Sequence, residues 1–147
     1  MLANINYRGT LLTSTKQFDF GTWKPRQFVY KCCEYTIIIF QSGKCRIMGC
    51  KKELNHSTLP FQIKVDGIQS LTICANLGQV VDLSKLSRKL GKECIYEPEL
   101  FPGLRYTKYN PLCVNVFSTG KIVILGIKTM DYVDFVDSVL KNISCFI

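Results

Sequence analysis

The sequence predicts an α+β domain in which two similar halves build one antiparallel sheet with helices on one face. Three observations predict it. A patterned segment recurs 77 residues apart, and the second half reads as strand, helix, three strands, helix. Apolar residues make up 47% of a 147-residue chain, enough for one buried core and too short a chain for two ordinary domains. We read 1–147 as a single domain, with 1–60 as a degenerate first repeat and 61–147 as a well-preserved second.

The repeat carries the fold argument. Phe40-Gln41-Ser42-Gly43-Lys44 returns as Phe117-Ser118-Thr119-Gly120-Lys121. Each copy follows an apolar run, Ile37-Ile38-Ile39 or Val114-Asn115-Val116, and each continues to a second glycine and lysine, Gly49 and Lys51 or Gly126 and Lys128. Five positions match without a gap, the signature of two halves of one symmetric fold. β-Branched residues on either side of Ser-Gly or Thr-Gly read as a β-hairpin. Period-two alternation then places Phe117, Val123 and Leu125 on one face, and Ile38, Phe40, Arg46 and Met48 on the matching face. The lysines flank that face. A phosphate-binding loop is excluded, because Cys45 and Ile122 follow the lysines and no glycine precedes at the required spacing.

The other elements follow in order. Ile68 to Asn76 reads as a strand. Asp82 caps a helix with apolar positions Leu83, Leu86 and Leu90, ended by Gly91. Cys94 to Tyr106 reads as a strand with a proline-rich interruption, and Leu112 to Phe117 with Lys121 to Lys128 as the hairpin. Asp131 to Ser144 reads as an amphipathic helix with Val133, Val136, Leu140 and Ile143 at helical spacing.

Composition narrows the function. Nineteen Lys and Arg against eleven Asp and Glu give a net charge of +8, which favours a polyanionic partner, nucleic acid first and an anionic membrane surface second. The apolar runs Thr36 to Phe40 and Ile122 to Leu125 are strand-length, well short of the roughly 20 residues of a membrane helix. No export signal is visible at the N-terminus, so the expected location is nuclear or cytoplasmic. The eight cysteines form no C-x-x-C pair and His56 is the sole histidine, so no metal site and no cofactor are expected. Glu97 and Glu99 are paired carboxylates without a histidine or metal partner, so no enzyme activity is expected.

At Tyr96-Glu97-Pro98-Glu99-Leu100-Phe101-Pro102-Gly103-Leu104 the chain resembles the TATA-box-binding protein family in its second repeat. Tyr106, Pro111, the Phe117 hairpin and Gly126-Ile127-Lys128 follow at family-like spacing. The resemblance implies a curved, saddle-shaped antiparallel sheet with helices on its convex face. It implies that Phe101, Phe117 and Phe40 insert between base steps, with either Trp23 or Phe28 completing the first pair. It makes Lys44, Lys51, Lys121 and Lys128 phosphate-facing, Ile38, Val123 and Leu125 groove-lining, and Glu97, Glu99 and Leu100 the edge that receives a TFIIB-like factor. The paired family asparagines match Ser70 and Asn4. Read without the resemblance, Phe101 and Phe117 are core aromatics before they are wedges, Glu97 and Glu99 read as a solvated acidic edge, and Lys44 and Lys121 as solubilising turn lysines.

The chain departs from the family in its first repeat. Lys52 to Leu59 has a loop composition where the family carries a helix, and no first helix is evident in Arg8 to Gln17. Arg46 and Met48 replace small residues, and Asn115 an apolar one. Arg46 is either suited to a narrow A·T-rich minor groove or simply a solvated strand residue. Such a trimmed chain would suit a compact genome, for example a viral one. The expected function is a transcription initiation factor that kinks A/T-rich promoter DNA through the minor groove and recruits a TFIIB-like factor or RNA polymerase. The alternative is an interaction module of a transcription complex with little autonomous DNA binding.

Overall fold

The computed structural model describes residues 2–22 and 26–147. The chain divides into two compact units, Ala3–Leu71 and Thr72–Ile147. The first holds β1 (Leu2–Leu11), β2 (Gln27–Lys31), β3 (Thr36–Phe40), β4 (Lys44–Cys50) and the start of β5 (Ile63–Asn76). The second holds the rest of β5, then α1 (Leu83–Leu90), β6 (Cys94–Ile95), β7 (Leu104–Tyr106), β8 (Cys113–Val116), β9 (Lys121–Ile127) and α2 (Val133–Ser144). The strands form one open nine-stranded sheet in the order β2-β3-β4-β1-β5-β9-β8-β7-β6.

The 77-residue repeat is exact in strand register. Ile37 pairs with Ile47, Ile38 with Arg46 and Ile39 with Cys45; Val114 pairs with Ile124, Asn115 with Val123 and Val116 with Ile122. Both turns close with the same bond, Gly43 N–H to the Phe40 carbonyl and Gly120 N–H to the Phe117 carbonyl, each 2.9 Å. Alternation then buries one face of each hairpin. Ile37, Ile39, Cys45 and Ile47 are buried in the first, and Val114, Val116, Ile122 and Ile124 in the second.

The two units cover that buried face differently. In the second, Asp82 caps α1 by accepting the Lys85 N–H at 3.1 Å, and Leu83, Leu86 and Leu90 are buried. α2 buries Val136, Val139 and Ile143. The sequence pattern named Val133 and Leu140 for this stripe. Val133 is instead exposed and Leu140 half-buried, because it is the Val136, Val139 and Ile143 set that faces the sheet.

The first unit has no α-helix among its described residues, only 3-10 turns at Thr15–Gln17 and His56–Thr58. Its sheet is covered by aromatic side chains. Phe28 and Tyr30 pair in register with the fully buried Ile39 and Ile37, so they lie on the covered face. Phe18 packs on Phe28 at 5.0 Å between centroids and on Phe61 at 5.3 Å, and Tyr30 packs edge-on to Phe61 at 5.4 Å. The Leu54 N–H donates to the buried Tyr7 hydroxyl at 3.2 Å, holding the segment after β4 against β1. Arg8 to Leu11, at the start of the segment with no evident helix pattern, are the end of β1. No helix among the described residues is long and apolar enough to cross a membrane.

Candidate nucleic-acid interface

Among the described residues no helix covers the opposite face of either hairpin, and the sequence-predicted residues of each hairpin lie there. In the first unit Ile38 and Phe40 are half-buried, while Lys44 and Arg46 are exposed. Arg46 stands directly opposite Arg8 on β1, and Lys44 opposite Thr10. A recess of about 310 Å³ opens here, lined by Arg8, Thr10, Phe40, Lys44, Arg46 and Asp66 among others. Its carboxylate is engaged, since the Thr10 hydroxyl donates to Asp66 Oδ2 at 2.8 Å.

The second glycine of the motif explains why its last lysine is on the same face. The β1–β4 register slips between Ile5, opposite Cys50, and Tyr7, opposite Ile47. This is a bulge of two β4 residues against one, with Gly49 at φ +83. Asn6 Oδ1 accepts the Gly49 N–H at 2.9 Å and so holds the bulge. The slip turns Cys50 inward and leaves Lys51 exposed beside it. The second hairpin repeats the pattern: Ile124 and Ile127 are buried, Leu125, Gly126 and Lys128 are exposed, and Gly126 has φ +94.

In the second unit the turn before β7 presents Phe101, whose N–H bonds the Glu97 carbonyl at 3.0 Å. Phe101 is 37% exposed and meets the half-buried Phe117 edge-on, with centroids 5.9 Å apart and rings inclined at 68°. Gly103 makes the pair possible, because a Cβ there would stand 2.8 Å from Phe101 and 3.0 Å from Phe117. Val123 is half-buried opposite Asn115, Leu125 is exposed opposite Cys113, and Lys121 is exposed beside the turn. Glu97, Glu99 and Leu100 are all exposed, Leu100 to 81%, and with Pro98 they line a shallow recess of about 270 Å³.

Several positions fall elsewhere than the sequence placed them. Phe28 occupies the register position of Leu104, each paired with the matching β3 or β8 residue, Ile39 or Val116, so it is a covering residue and not a wedge. Trp23, the other choice, lies outside the described residues. Asn6 Nδ2 donates to Ser70 Oγ at 3.0 Å, and Asn4 Oδ1 is buried without a partner. Asn115 Oδ1, on the uncovered face, is likewise buried and unpartnered. Arg8, Arg105, Val29 and Cys113 also belong to these uncovered faces. Only strand pairing could have found them, since none lies in the repeated motif. Among the described residues no group of three His, Cys, Asp or Glu side chains is placed to hold a metal ion.

Two partly apolar faces bearing half-exposed aromatics and rimmed by lysines are suited to stack, wedge and attract phosphate. The model of the family described as transcription factor TFIID (or TATA-binding protein, TBP) matches residues 67–144. The TATA-box-binding protein of Aeropyrum pernix is 37% identical over 108 residues, covering 63% of this chain and 53% of that protein. The TATA-box-binding protein of Methanothermococcus thermolithotrophicus is 32% identical over 133 residues, covering 77% of this chain and 72% of that protein. The solved structure of Methanococcus jannaschii TBP shares the fold over 97% of both chains, with a TM-score of 0.67 at 24% identity. The chain belongs to the TATA-box-binding protein family of transcription factors.

Proposed function

We propose that the protein is an initiation factor that grips A/T-rich duplex DNA from the minor groove and kinks it. The observation that carries this reading is the Phe101–Phe117 pair, held half-exposed on an uncovered sheet face with Lys121 at the adjoining turn. An apolar wedge unstacks a base step at a cost of a few kcal/mol. The bent duplex then contacts more protein, and rim lysines recover phosphate attraction through counterion release. The minor groove shows a degenerate acceptor pattern, so an apolar face reads width and deformability there. Phe40, Ile38, Val123 and Leu125 supply that face, and Lys44 and Lys51 are the matching cations of the first half.

The test is energy transfer between dyes at the two ends of an A·T-rich duplex, with a G·C-rich control, at two salt concentrations. A salt-sensitive bend on the A·T duplex, lost in both Phe101→Ala and Phe117→Ala, is the expected result. An unchanged bend in both variants rejects the wedge assignment.

A second reading has its own observation. The recess at Glu97, Pro98, Glu99 and Leu100 presents an almost fully exposed leucine with two carboxylates, a surface suited to a basic, partly apolar protein partner. In this reading the chain is chiefly an interaction module that docks a TFIIB-like factor or RNA polymerase. Glu99→Arg is expected to abolish capture of the initiation factor while leaving intrinsic DNA bending intact. The two readings are compatible, the partner adding affinity to a weak DNA grip.

A further inference from the structure

The two hairpins match residue for residue, yet their uncovered rows differ in charge. Across the first unit one row runs Val29, Ile38, Arg46, Arg8, each paired with the next. The matching row of the second unit runs Arg105, Asn115, Val123. There the guanidinium sits on the outer strand β7, and the outward positions of β5 within that unit, Thr72, Cys74 and Asn76, are uncharged. In the first unit the guanidinium groups sit on the inner strands β4 and β1.

The first arrangement is unfavourable in the free protein. Like charges directly opposite on antiparallel strands repel. Arg8 Nη1 donates to the Ile68 carbonyl at 3.0 Å, but Arg46 makes no hydrogen bond or ion pair among the described residues. Asp66 lines the same recess and keeps its charge while accepting from Thr10, so one carboxylate stands against Arg8, Lys44 and Arg46. The remaining excess of positive charge over the recess is stabilised further by concentrated negative potential. A narrow A·T minor groove offers that potential, and a guanidinium sheds its hydration more readily than an ammonium.

The geometry points to Arg8 and Arg46 as the residues that decide which way round the protein sits on an asymmetric site. This rests on the proposed minor-groove binding. The first half lies over the stiff segment with the narrower groove. The second half, with Phe101, Phe117, Val123 and Leu125, lies over the adjoining pyrimidine–purine steps, which kink most easily. The second half has no matching charge at Val123 with which to compete for the narrow segment.

Orientation can be read directly. A donor dye is ligated to the C-terminus, which belongs to the second unit, and an acceptor is placed on one end or the other of a duplex joining an adenine run to TA steps. Wild type is expected to favour the orientation that brings the donor to the TA-step end by about tenfold, the scale of one good arginine–base contact. Arg46→Val, which installs the residue of the matching position, is expected to bring the ratio near one, read at saturating protein. Arg46→Lys keeps the charge and is expected to give an intermediate ratio. Arg46→Val relieves a like-charge pair, so its melting temperature should be no lower than wild type.

A wild-type ratio near one, or a ratio unchanged in both variants, overturns the assignment. Bending without orientation removes this inference alone. A wild-type protein that bends no duplex removes the proposed function, and the orientation falls with it.

Discussion

The two units solve one problem by different means. Each must bury one face of a hairpin whose strands and register are the same. The second unit does so with two helices, which fully bury Val136, Val139 and Ile143 and nearly all of Leu86. The first does so with Phe18, Phe28, Tyr30 and Phe61, none of them fully buried. The hairpin geometry is therefore independent of what lies behind it. A face that contacts a ligand can be kept while the elements behind it are shortened, provided enough apolar area covers the sheet. Each aromatic ring brings large area on few residues, which suits it to replace a helix.

The largest expected effect tests this difference in covering. Leu86→Ala removes a side chain that is 2% exposed and leaves a cavity under α1, with an expected loss of about 3 kcal/mol. Phe61→Ala removes a half-buried ring that solvent already reaches, so its loss should be smaller, about 2 kcal/mol despite the larger side chain. Urea denaturation of the two variants checks the order. A greater loss for Phe61→Ala would mean that the aromatic cluster is the more cooperative cover.

The turns differ as well. Gly43 and Gly120 share a positive φ, +91 and +89, and the same closing bond. A Cβ on Gly43 would meet nothing closer than Thr15 at 4.0 Å. On Gly120 it would stand 2.2 Å from the Gln79 carbonyl oxygen, because the segment before α1 folds over this turn through the Val81 N–H bond to the Ser118 carbonyl. Gly43→Ala should cost about 1 kcal/mol, the conformational penalty alone, and Gly120→Ala about 2–3 kcal/mol, with backbone displacement added. Thermal melts of the pair measure the difference. Equal costs would show that the segment before α1 yields easily.

How much of this was legible follows from where each signal lies in the chain. The repeat was visible because five positions recur at one spacing, and it fixed the hairpin register, the turns and the faces of Phe40, Phe117, Arg46 and Val123. Asp82 and Gly91 bracket α1 as local chemistry dictates. Phe28 was misread as a possible wedge because its covered position depends on pairing with Ile39, a long-range contact that short-range pattern does not encode. Arg8 was missed for the same reason, since only the β1–β4 register brings it to Arg46. The aromatic cover was invisible because Phe18, Phe28 and Phe61 follow no common period. On α2, Val133, Val136, Val139 and Leu140 are all apolar, so spacing alone could not choose which face meets the sheet.

A smaller effect distinguishes the hairpins chemically. Cys45 and Ile122 hold matching buried positions, so only the first unit places a thiol there. Cys45 is 1% exposed, and burial pushes its thiol from 9.0 up to about 11. The folded state then holds the proton more tightly than the unfolded one. The contribution is complete below pH 9 and is lost as pH rises through about 11. Over that window stability should fall by up to about 2 kcal/mol on this account, and Cys45→Ile should remove that part of the fall. Burial also raises the Cys50 thiol and the Tyr106 hydroxyl, so some alkaline loss will remain. Melting temperature against pH for wild type and Cys45→Ile reads the difference, and superimposable profiles would place the alkaline loss on those other groups.

The smallest expected effect bears on whether the two lysine pairs do the same work. Lys44 and Lys121 are matched turn lysines, both exposed on the uncovered side. If each neutralises one phosphate, Lys44→Ala and Lys121→Ala should each flatten the slope of log affinity against log salt by about 0.9. Lys44, however, shares its recess with Arg8 and Arg46, whereas Lys121 stands beside the apolar Val123 and Leu125. A polyanion facing three cations remains attracted when one is lost, so Lys44→Ala should weaken affinity at a fixed salt concentration less than Lys121→Ala does. Titrations of both variants at three salt concentrations separate slope from affinity. Equal slopes with unequal affinities would mean matched phosphate contacts set in different fields, while a slope change in Lys121→Ala alone would mean that the first half holds DNA through its arginines and that Lys44 is only a turn residue.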